Sequence, residues 1–353
     1  MRHRLSIALL LAAGWPVGAQ SLARRIAAVN EGTVLLAFAS RPGVCSDGRE
    51  TVRDGRVVVV FPSMFGYGRS DMSACITGPV RVSVGRSDGE TVSLRVRIGG
   101  RSSAGDAATD LGTVSAPDAA RYFLREAQRL SGHNADYALA AAVFADSVDI
   151  SRDLVDLARS TEAHRELRQR AVFWLGTLEE PGVARALRDL AADAHLDEDV
   201  RSAAIIAIGR DDISDEDVAR LERLYPSASS KLRDAIFLAV SRSDSPRASG
   251  WLTDVVTNRD ESRHNREQAM FWLGQGQSPT SALVKLYDRL DESSLRTHYT
   301  FVLSQRRDRA ALDQLIAVAE KDPDRGVRKQ ALFWLGQSKD PRALDYLRDL
   351  VTR

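Results

Sequence analysis

The stretch RKQALFWLGQSKDPRALDYLRDL, residues 328–350, contains two amphipathic runs separated by a Ser-Lys-Asp-Pro turn. Apolar residues at helical spacing on both sides of such a turn predict two helices joined by a short loop. The phrase Phe-Trp-Leu-Gly ends here at Gly336, and the same phrase also ends at Gly176 and at Gly274. A phrase used three times is either a set of binding sites or one packing solution that has been copied.

The phrase belongs to a longer repeat. Six related segments end 33, 32, 33, 30 and 32 residues apart, and each is followed by a turn and a second amphipathic run. A nearly constant period of this size indicates a solenoid of helix pairs, in which each pair completes its core by stacking on its neighbours. The six segments are LRQRAVFWLG, VRSAAIIAIG, LRDAIFLAVS, NREQAMFWLG, LRTHYTFVLS and VRKQALFWLG, ending at Gly176, Gly209, Ser241, Gly274, Ser304 and Gly336.

The stretch DPDRGVRKQALFWLGQSKDPRAL, residues 322–344, resembles HEAT-like repeats in its Asp-Pro turn, its Val-Arg pair and its Leu-Gly pair. The resemblance covers about residues 150–353, within a predicted helical region of 116–353. It implies an α solenoid whose Val-Arg helices line the inner, concave side. Residues 116–148 are expected to form an atypical capping helix pair. Departures from the pattern are Asn265 at an apolar position and Ser241 and Ser304 in place of glycine.

Residues 20–100 predict a small antiparallel β domain ahead of the solenoid. Asp88-Gly89 is a strong hairpin signal, and Val80, Val82 and Val84 alternate with polar residues on one side of it, as Val92, Leu94, Val96 and Ile98 do on the other. Residues 101–115 are small, polar and rich in glycine, which predicts a linker, and Ser115 or a neighbour is expected to cap the first long helix. The strand-like runs are 33–39, 57–61, 79–85 and 91–98.

The N-terminus has the pattern of a secretory signal peptide. Residues 1–4 are basic, 5–14 are apolar, and the small residues 17–19 fit a cleavage site after Ala19. We therefore expect residues 1–19 to be removed and the protein to be periplasmic or secreted, with no membrane span in the mature chain. Export makes Cys45 and Cys75 a natural structural disulfide. A metal or redox pair fits less well because no histidine lies near either cysteine.

Arginine occupies the second position of every segment. A row of arginines could bind anions, but acidic residues such as Asp197 and Asp322 lie nearby, and pairing with the repeat loops is the favoured interpretation. Tryptophan at the eighth position is expected to fill the core, with its indole N–H bonded to an acceptor. These predicted structural residues are Arg168, Arg201, Arg233, Arg266, Arg296, Arg328, Trp174, Trp272 and Trp334.

The seventh position is apolar in all six copies and lies one helical turn from the fourth and eleventh positions. If this strip faces the concave groove, phenyl groups could hold apolar side chains of an extended peptide while amides bond its backbone. Packing between neighbouring copies explains the same pattern and is somewhat favoured. The candidate binding residues are Phe173, Phe271, Phe301, Phe333, Gln268, Gln275, Gln330, Gln337 and Arg170.

Charge and motifs narrow the function. With 49 basic and 48 acidic residues the net charge is +1, which gives no general attraction to nucleic acid. We find no metal-binding, nucleophilic or nucleotide-binding motif, so we expect no cofactor and no enzymatic activity. The favoured function is an exported scaffold that binds a protein or peptide. The alternatives are a structural or assembly role in the cell envelope, and carbohydrate or small-ligand binding by the β domain through Phe65 and Tyr67.

Overall fold

The computed structural model describes residues 21–46, 52–53, 56–57, 76–100, 108–210 and 213–352. The predicted signal peptide, Cys75, Phe65 and Tyr67 lie outside the described residues. By their contacts the described residues form two units, and the boundary between them falls between Val148 and Asp149. The predicted fold class, an α solenoid preceded by a small β domain, is confirmed.

The first unit contains a four-stranded sheet with the order β5-β4-β1-β6, together with a separate two-residue ladder between β2 and β3. Strands β4 and β5 form the predicted hairpin, because Asp88 and Gly89 both have positive φ angles, of 51° and 76°, as a two-residue turn of this kind requires. The strands are β1 (Gly32–Phe38), β2 (Val52–Arg53), β3 (Arg56–Val57), β4 (Val80–Ser87), β5 (Glu90–Ile98) and β6 (Thr109–Thr113).

One face of this sheet is buried, as the alternation predicted. Val80, Val82 and Val84 are buried on β4, and Leu94, Val96 and Ile98 are buried on β5. Val92 is exposed, although it was predicted on the same face. The pairing of β4 with β5 shifts register between Gly85 and Arg86, so the alternation does not continue to the turn.

The linker prediction for 101–115 is wrong for its last part. Residues 109–113 form β6, which pairs in parallel with β1. The segment TDLGT buries none of its side chains, so it carries no alternating signal, and its strand character comes from hydrogen bonding to the edge of β1.

Three helices complete the first unit: α1 (Leu22–Ala27), α2 (Ala116–Arg129) and α3 (Gly132–Val143). The side chain of Ser115 caps α2 as predicted, accepting a hydrogen bond from Asp118 N at 3.2 Å. The pair α2–α3 was predicted to cap the solenoid, but its contacts place it in the first unit, where α3 packs on α2 and on β5. Almost every residue of α3 from Ala135 onward is buried, so this helix needs a cover on two sides.

The second unit is a succession of helix pairs that follows α4 (Ser151–Arg159). Each segment of the repeat forms the first helix of a pair, and the run after it forms the second helix. The first helices are α5 (Arg165–Leu175), α7 (Glu198–Ile208), α9 (Ser230–Val240), α11 (Arg263–Gln275), α13 (Ser293–Ser304) and α15 (Arg325–Gln337). The second helices are α6 (Val183–Ala192), α8 (Asp215–Leu224), α10 (Pro246–Thr257), α12 (Thr280–Tyr287), α14 (Arg309–Lys321) and α16 (Pro341–Thr352).

The polar loops between these helices supply their N-caps. Ser245 Oγ accepts from Ala248 N at 3.1 Å, Ser262 Oγ accepts from Asn265 N at 3.2 Å, and Asp308 Oδ1 accepts from Ala311 N at 3.1 Å. A side chain that satisfies a free amide at the start of a helix stabilises it by about 1 kcal/mol. The serine- and aspartate-rich loops thus fix where each helix begins.

Candidate protein-binding surface

The seventh position of each copy lies on the outward side of its first helix. The first and fifth positions are buried in all six copies, because they face the second helix. Two residues after the fifth position, the helix has turned by about 200°. The seventh-position row, defined as Phe173, Ile206, Leu238, Phe271, Phe301 and Phe333, is accordingly partly exposed in the first five copies and fully exposed in the last.

Rings of the last three copies touch one another along this row. The Phe271 and Phe301 rings are nearly parallel, at 8°, with centroids 6.4 Å apart. The Phe301 ring lies 5.4 Å from the Trp334 ring, and Trp334 in turn lies 5.0 Å from Phe333. The row therefore both packs between copies and presents ring edges and faces to solvent, so the two interpretations of the sequence are not exclusive.

Amides flank the row where the sequence placed them. Gln268 and Gln330 are half-buried one turn before Phe271 and Phe333, and Gln275 and Gln337 are exposed one turn after them. The intervening copy differs, since it carries His298 at the fourth position, 5.8 Å from the Phe301 ring. Burial lowers the pKa of His298 below its usual value, while the nearby Glu267 acts in the opposite direction. The surface of the last three copies is therefore mainly neutral.

The first three copies have a different surround. Their seventh position changes from Phe173 to the aliphatic Ile206 and Leu238. Arg170 is half-buried on the same side, and the guanidinium of Arg210 lies 5.4 Å from the centre of the Phe173 ring. Thr177, one turn after Phe173, is buried and donates to Trp174 O at 2.7 Å, so it does not belong to the surface.

The arginines of the second position are engaged elsewhere. They donate to main-chain carbonyls near the end of the preceding second helix or to a carboxylate in the loop before the next copy. Arg296 does both, with Asp322 at 2.9 Å and Leu290 O at 3.1 Å. The other contacts are Arg168 with Asp197 (2.6 Å), Arg201 with Ala191 O (3.2 Å), Arg233 with Pro226 O (3.2 Å), Arg266 with Val256 O (2.7 Å) and Glu292, and Arg328 with Asp322 O (2.6 Å).

The tryptophans differ from one another in burial. Trp174 is fully buried, whereas Trp272 and Trp334 are half-buried beside the seventh-position row. The indole N–H of Trp334 is buried and has no hydrogen-bond partner among the described residues. For Trp334 the expected acceptor is therefore missing.

Glycine at the tenth position does something that the sequence interpretation missed. A Cβ atom on Gly176 would lie 2.7 Å from Ala207 Cβ, and one on Gly209 would lie 2.6 Å from Ala239 Cβ. Ala207 and Ala239 both stand at the eighth position of the next copy. The signal was present in the sequence, because a small or medium eighth residue follows each glycine, while Trp272 and Trp334 follow the copies that end in serine.

No group of three histidine, cysteine, aspartate or glutamate side chains in the described part of the chain could hold a metal ion. Among the same residues, no helix has both the length and the apolar composition needed to cross a membrane.

Comparisons with known proteins bear mainly on the repeats. Residues 280–353 match the family model for HEAT repeats, which supports the HEAT-like repeats implied by the sequence resemblance. No curated protein was found to match the sequence. Among solved structures, human deoxyhypusine hydroxylase in complex with glycerol is 18% identical with a TM-score of 0.25, over 66% of this chain and 88% of that chain. A similarity of this size carries no argument about activity.

Proposed function

We propose that this protein is an exported scaffold that binds an extended segment of a partner protein along the seventh-position row. The observation that carries the proposal is the row itself, in which an apolar side chain is partly exposed in every copy while its helical neighbours are buried. HEAT repeats commonly serve as scaffolds for protein interactions, which supports this class of function.

The packing of the helices supports placing the row on the inner side of the stack. First helices of successive copies pack more closely against one another than second helices do. Glycine at the tenth position of three copies permits this close approach. A stack that is tighter on one side curves towards that side, so the first helices would line a concave groove.

The spacing of the rings suits an extended ligand. Side chains on one face of a β-strand repeat about every 6.6 Å, which is close to the 6.4 Å between the Phe271 and Phe301 rings. One apolar side chain of the ligand could therefore rest on each ring. Gln275 and Gln337, on the exposed side of the row, could exchange hydrogen bonds with the ligand's main chain, as amides do with peptide groups.

Export and the disulfide belong to the same proposal. The predicted signal peptide directs the chain out of the cytoplasm, to the periplasm or the medium. The main chains of Ser46 and Ile76 exchange two hydrogen bonds, of 3.0 and 2.7 Å, which supports a covalent link between the neighbouring Cys45 and Cys75. We propose no enzymatic activity, cofactor or nucleic-acid ligand, because the partner would be held by recognition alone.

The decisive experiment removes two exposed rings and follows both binding and folding. The mature protein and its Phe271→Ser, Phe333→Ser double variant are used to capture proteins from periplasm and medium, and the captured proteins are identified by mass spectrometry. We expect the variant to lose the specific partner while its circular dichroism keeps the helical signal. Ile316→Ser is the matched control, because Ile316 is a half-buried apolar residue on a second helix.

Two results would contradict the proposal. Loss of helical signal in the double variant would mean that these rings are needed for the core. Unchanged capture by a folded double variant would mean that the partner binds elsewhere.

A further inference from the structure

The last helix pair repeats the pair before it almost residue for residue. Shifting the sequence of α14 by 32 positions superimposes ALDQLIAVAE on ALDYLRDLVT of α16. The apolar residues coincide at every inward and sideways position. The matched residues are Ala311 with Ala343, Leu312 with Leu344, Leu315 with Leu347, Val318 with Leu350, and Ala319 with Val351.

Equivalent residues in the two helices differ greatly in exposure. Leu312 is 8% exposed and Leu344 is 51% exposed. Val318 is 1% exposed and its counterpart Leu350 is 44% exposed. Ala319 is 7% exposed, whereas Val351 is 87% exposed. Helix α16 thus keeps an apolar stripe that α14 buries inside the stack.

The first helix of the last pair shows the same difference. A Cβ atom on Gly274 of α11 would collide with Val302 of the following copy, but one on Gly336 of α15 would meet nothing within 4 Å. Of the large apolar residues exposed in the described part of the chain, most belong to α15 and α16. They are Phe333, Leu344, Leu350 and Val351, with Ile76 and Val92 in the first unit. The outer side of the last pair is therefore an uncovered copy-to-copy interface.

Charges beside this stripe suit a second copy of the same surface. Asp345 and Arg348 lie on the exposed side of α16, 3.7 Å apart, and each is 69% exposed. In a two-fold symmetric contact, residue i meets residue j of the partner and residue j meets residue i. Two copies of α16 that run in opposite directions across the axis could place Arg348 of each beside Asp345 of the other.

We infer that the face formed by Leu344, Leu347, Leu350 and Val351 binds a second copy of this chain, with the two α16 helices packed antiparallel about a two-fold axis. A twelve-residue helix is about 18 Å long, and a helix pair is about 20 Å across. This is small for a specific interface, so the dimer has a micromolar dissociation constant. The inference is independent of the seventh-position row and of whatever binds there.

Sedimentation velocity of the full chain across the micromolar range tests the dimer directly. We expect the mass to rise with concentration towards twice that of one chain. Leu344→Asp and Val351→Asp each bury a carboxylate in the interface and should weaken association about tenfold or more. Val92→Asp is the matched control, because Val92 is an exposed apolar residue of the first unit. It should leave the association unchanged.

A charge exchange tests the geometry. Asp345→Arg and Arg348→Asp each place like charges opposite one another twice in the dimer and should dissociate it. Mixed together, the two variants should form a heterodimer, since every contact again pairs opposite charges. A wild-type chain that stays monomeric throughout would overturn the inference, and so would a mass that continues past twice the monomer. A mixture of the two variants that stays monomeric would overturn the antiparallel arrangement.

Discussion

The first helices of the solenoid meet their neighbours in two ways. At three junctions a glycine at the tenth position faces a small or medium residue of the next copy: Gly176 faces Ala207, Gly209 faces Ala239, and Gly274 faces Val302. At the other two junctions a serine ends the copy and a tryptophan occupies the eighth position of the next. These pairs are Ser241 with Trp272, and Ser304 with Trp334.

This difference explains the recurring phrase Phe-Trp-Leu-Gly. Its phenylalanine is a surface residue of the seventh-position row, its tryptophan belongs to the junction with the copy before, and its glycine belongs to the junction with the copy after. Three neighbouring letters thus respond to three different surroundings. The phrase recurs because those surroundings recur, and only its first letter lies in the proposed binding surface.

The largest effect should come from adding one methyl group at a glycine junction. Gly209→Ala would bring its Cβ to 2.6 Å from Ala239 Cβ, so the helices must separate. Overpacking of this kind costs about 1–3 kcal/mol. Gly336→Ala is the control at the same position of the last copy, and it should stabilise the helix by about 0.5–1 kcal/mol because nothing lies nearby.

Urea unfolding followed by circular dichroism, at a low protein concentration, measures both glycine variants. The transition midpoint should fall for Gly209→Ala and rise for Gly336→Ala. Equal shifts in the same direction would show that glycine at this position serves the local helix end and not the contact between copies.

A smaller effect is expected at a serine–tryptophan junction. Trp334→Ala removes the ring that packs on Phe301 and should cost about 2 kcal/mol, which is below the range for a fully buried tryptophan. Trp334→Phe should cost less than about 1 kcal/mol, since the indole N–H it removes has no partner among the described residues.

A double-mutant cycle with Ser304→Gly tests whether the serine and the tryptophan fit each other. Residues in one junction should be coupled by about 1 kcal/mol, so that the glycine variant costs less when Trp334 is already alanine. Additive changes in the free energy of unfolding would mean that their association in the sequence has no structural basis.

The sequence predicted the features that depend on periodicity. The helix pairs, the hairpin at Asp88-Gly89 and the cap at Ser115 all follow from patterns within a few residues of one another. Strand β6 did not, because TDLGT is exposed and acquires its structure from hydrogen bonds to β1, far away in the sequence. The grouping of α2 and α3 with the sheet also depends on such distant contacts, including Asn134, which bonds the main chain of β5 at Leu94 and Val92.

The candidate surface was predictable only in part. The list of seventh-position residues could be read from the repeat, but the direction of the rings depends on which helix face meets the second helix. That face is fixed by burial at the first and fifth positions, which the sequence shows only as apolar, like the seventh. The parallel arrangement of Phe271 and Phe301 depends on the packing of two helices and has no signal in either segment.

The smallest expected effect concerns His298, which lies beside Phe301 near the second serine–tryptophan junction. Burial lowers the pKa of His298 in the folded protein, and its Nε2 has no hydrogen-bond partner among the described residues. As the pH falls, the unfolded chain therefore takes up this proton first, near the usual pKa of about 6.5. Folding stability is complete above that pH and declines below it, down to the lowered pKa of the folded state.

His298→Gln isolates this contribution, because glutamine already stands at the fourth position of the copies before and after it, as Gln268 and Gln330. Between neutral pH and about 5.5, the wild-type protein should lose more of its free energy of unfolding than the variant does, since only the wild type has this histidine to protonate. Carboxylates titrate mostly below that range and affect both proteins equally. Parallel pH dependences would show that His298 stays as easily protonated in the folded protein as in the unfolded chain, and that the junction around Phe301 and Trp334 is more open to water than its burial suggests.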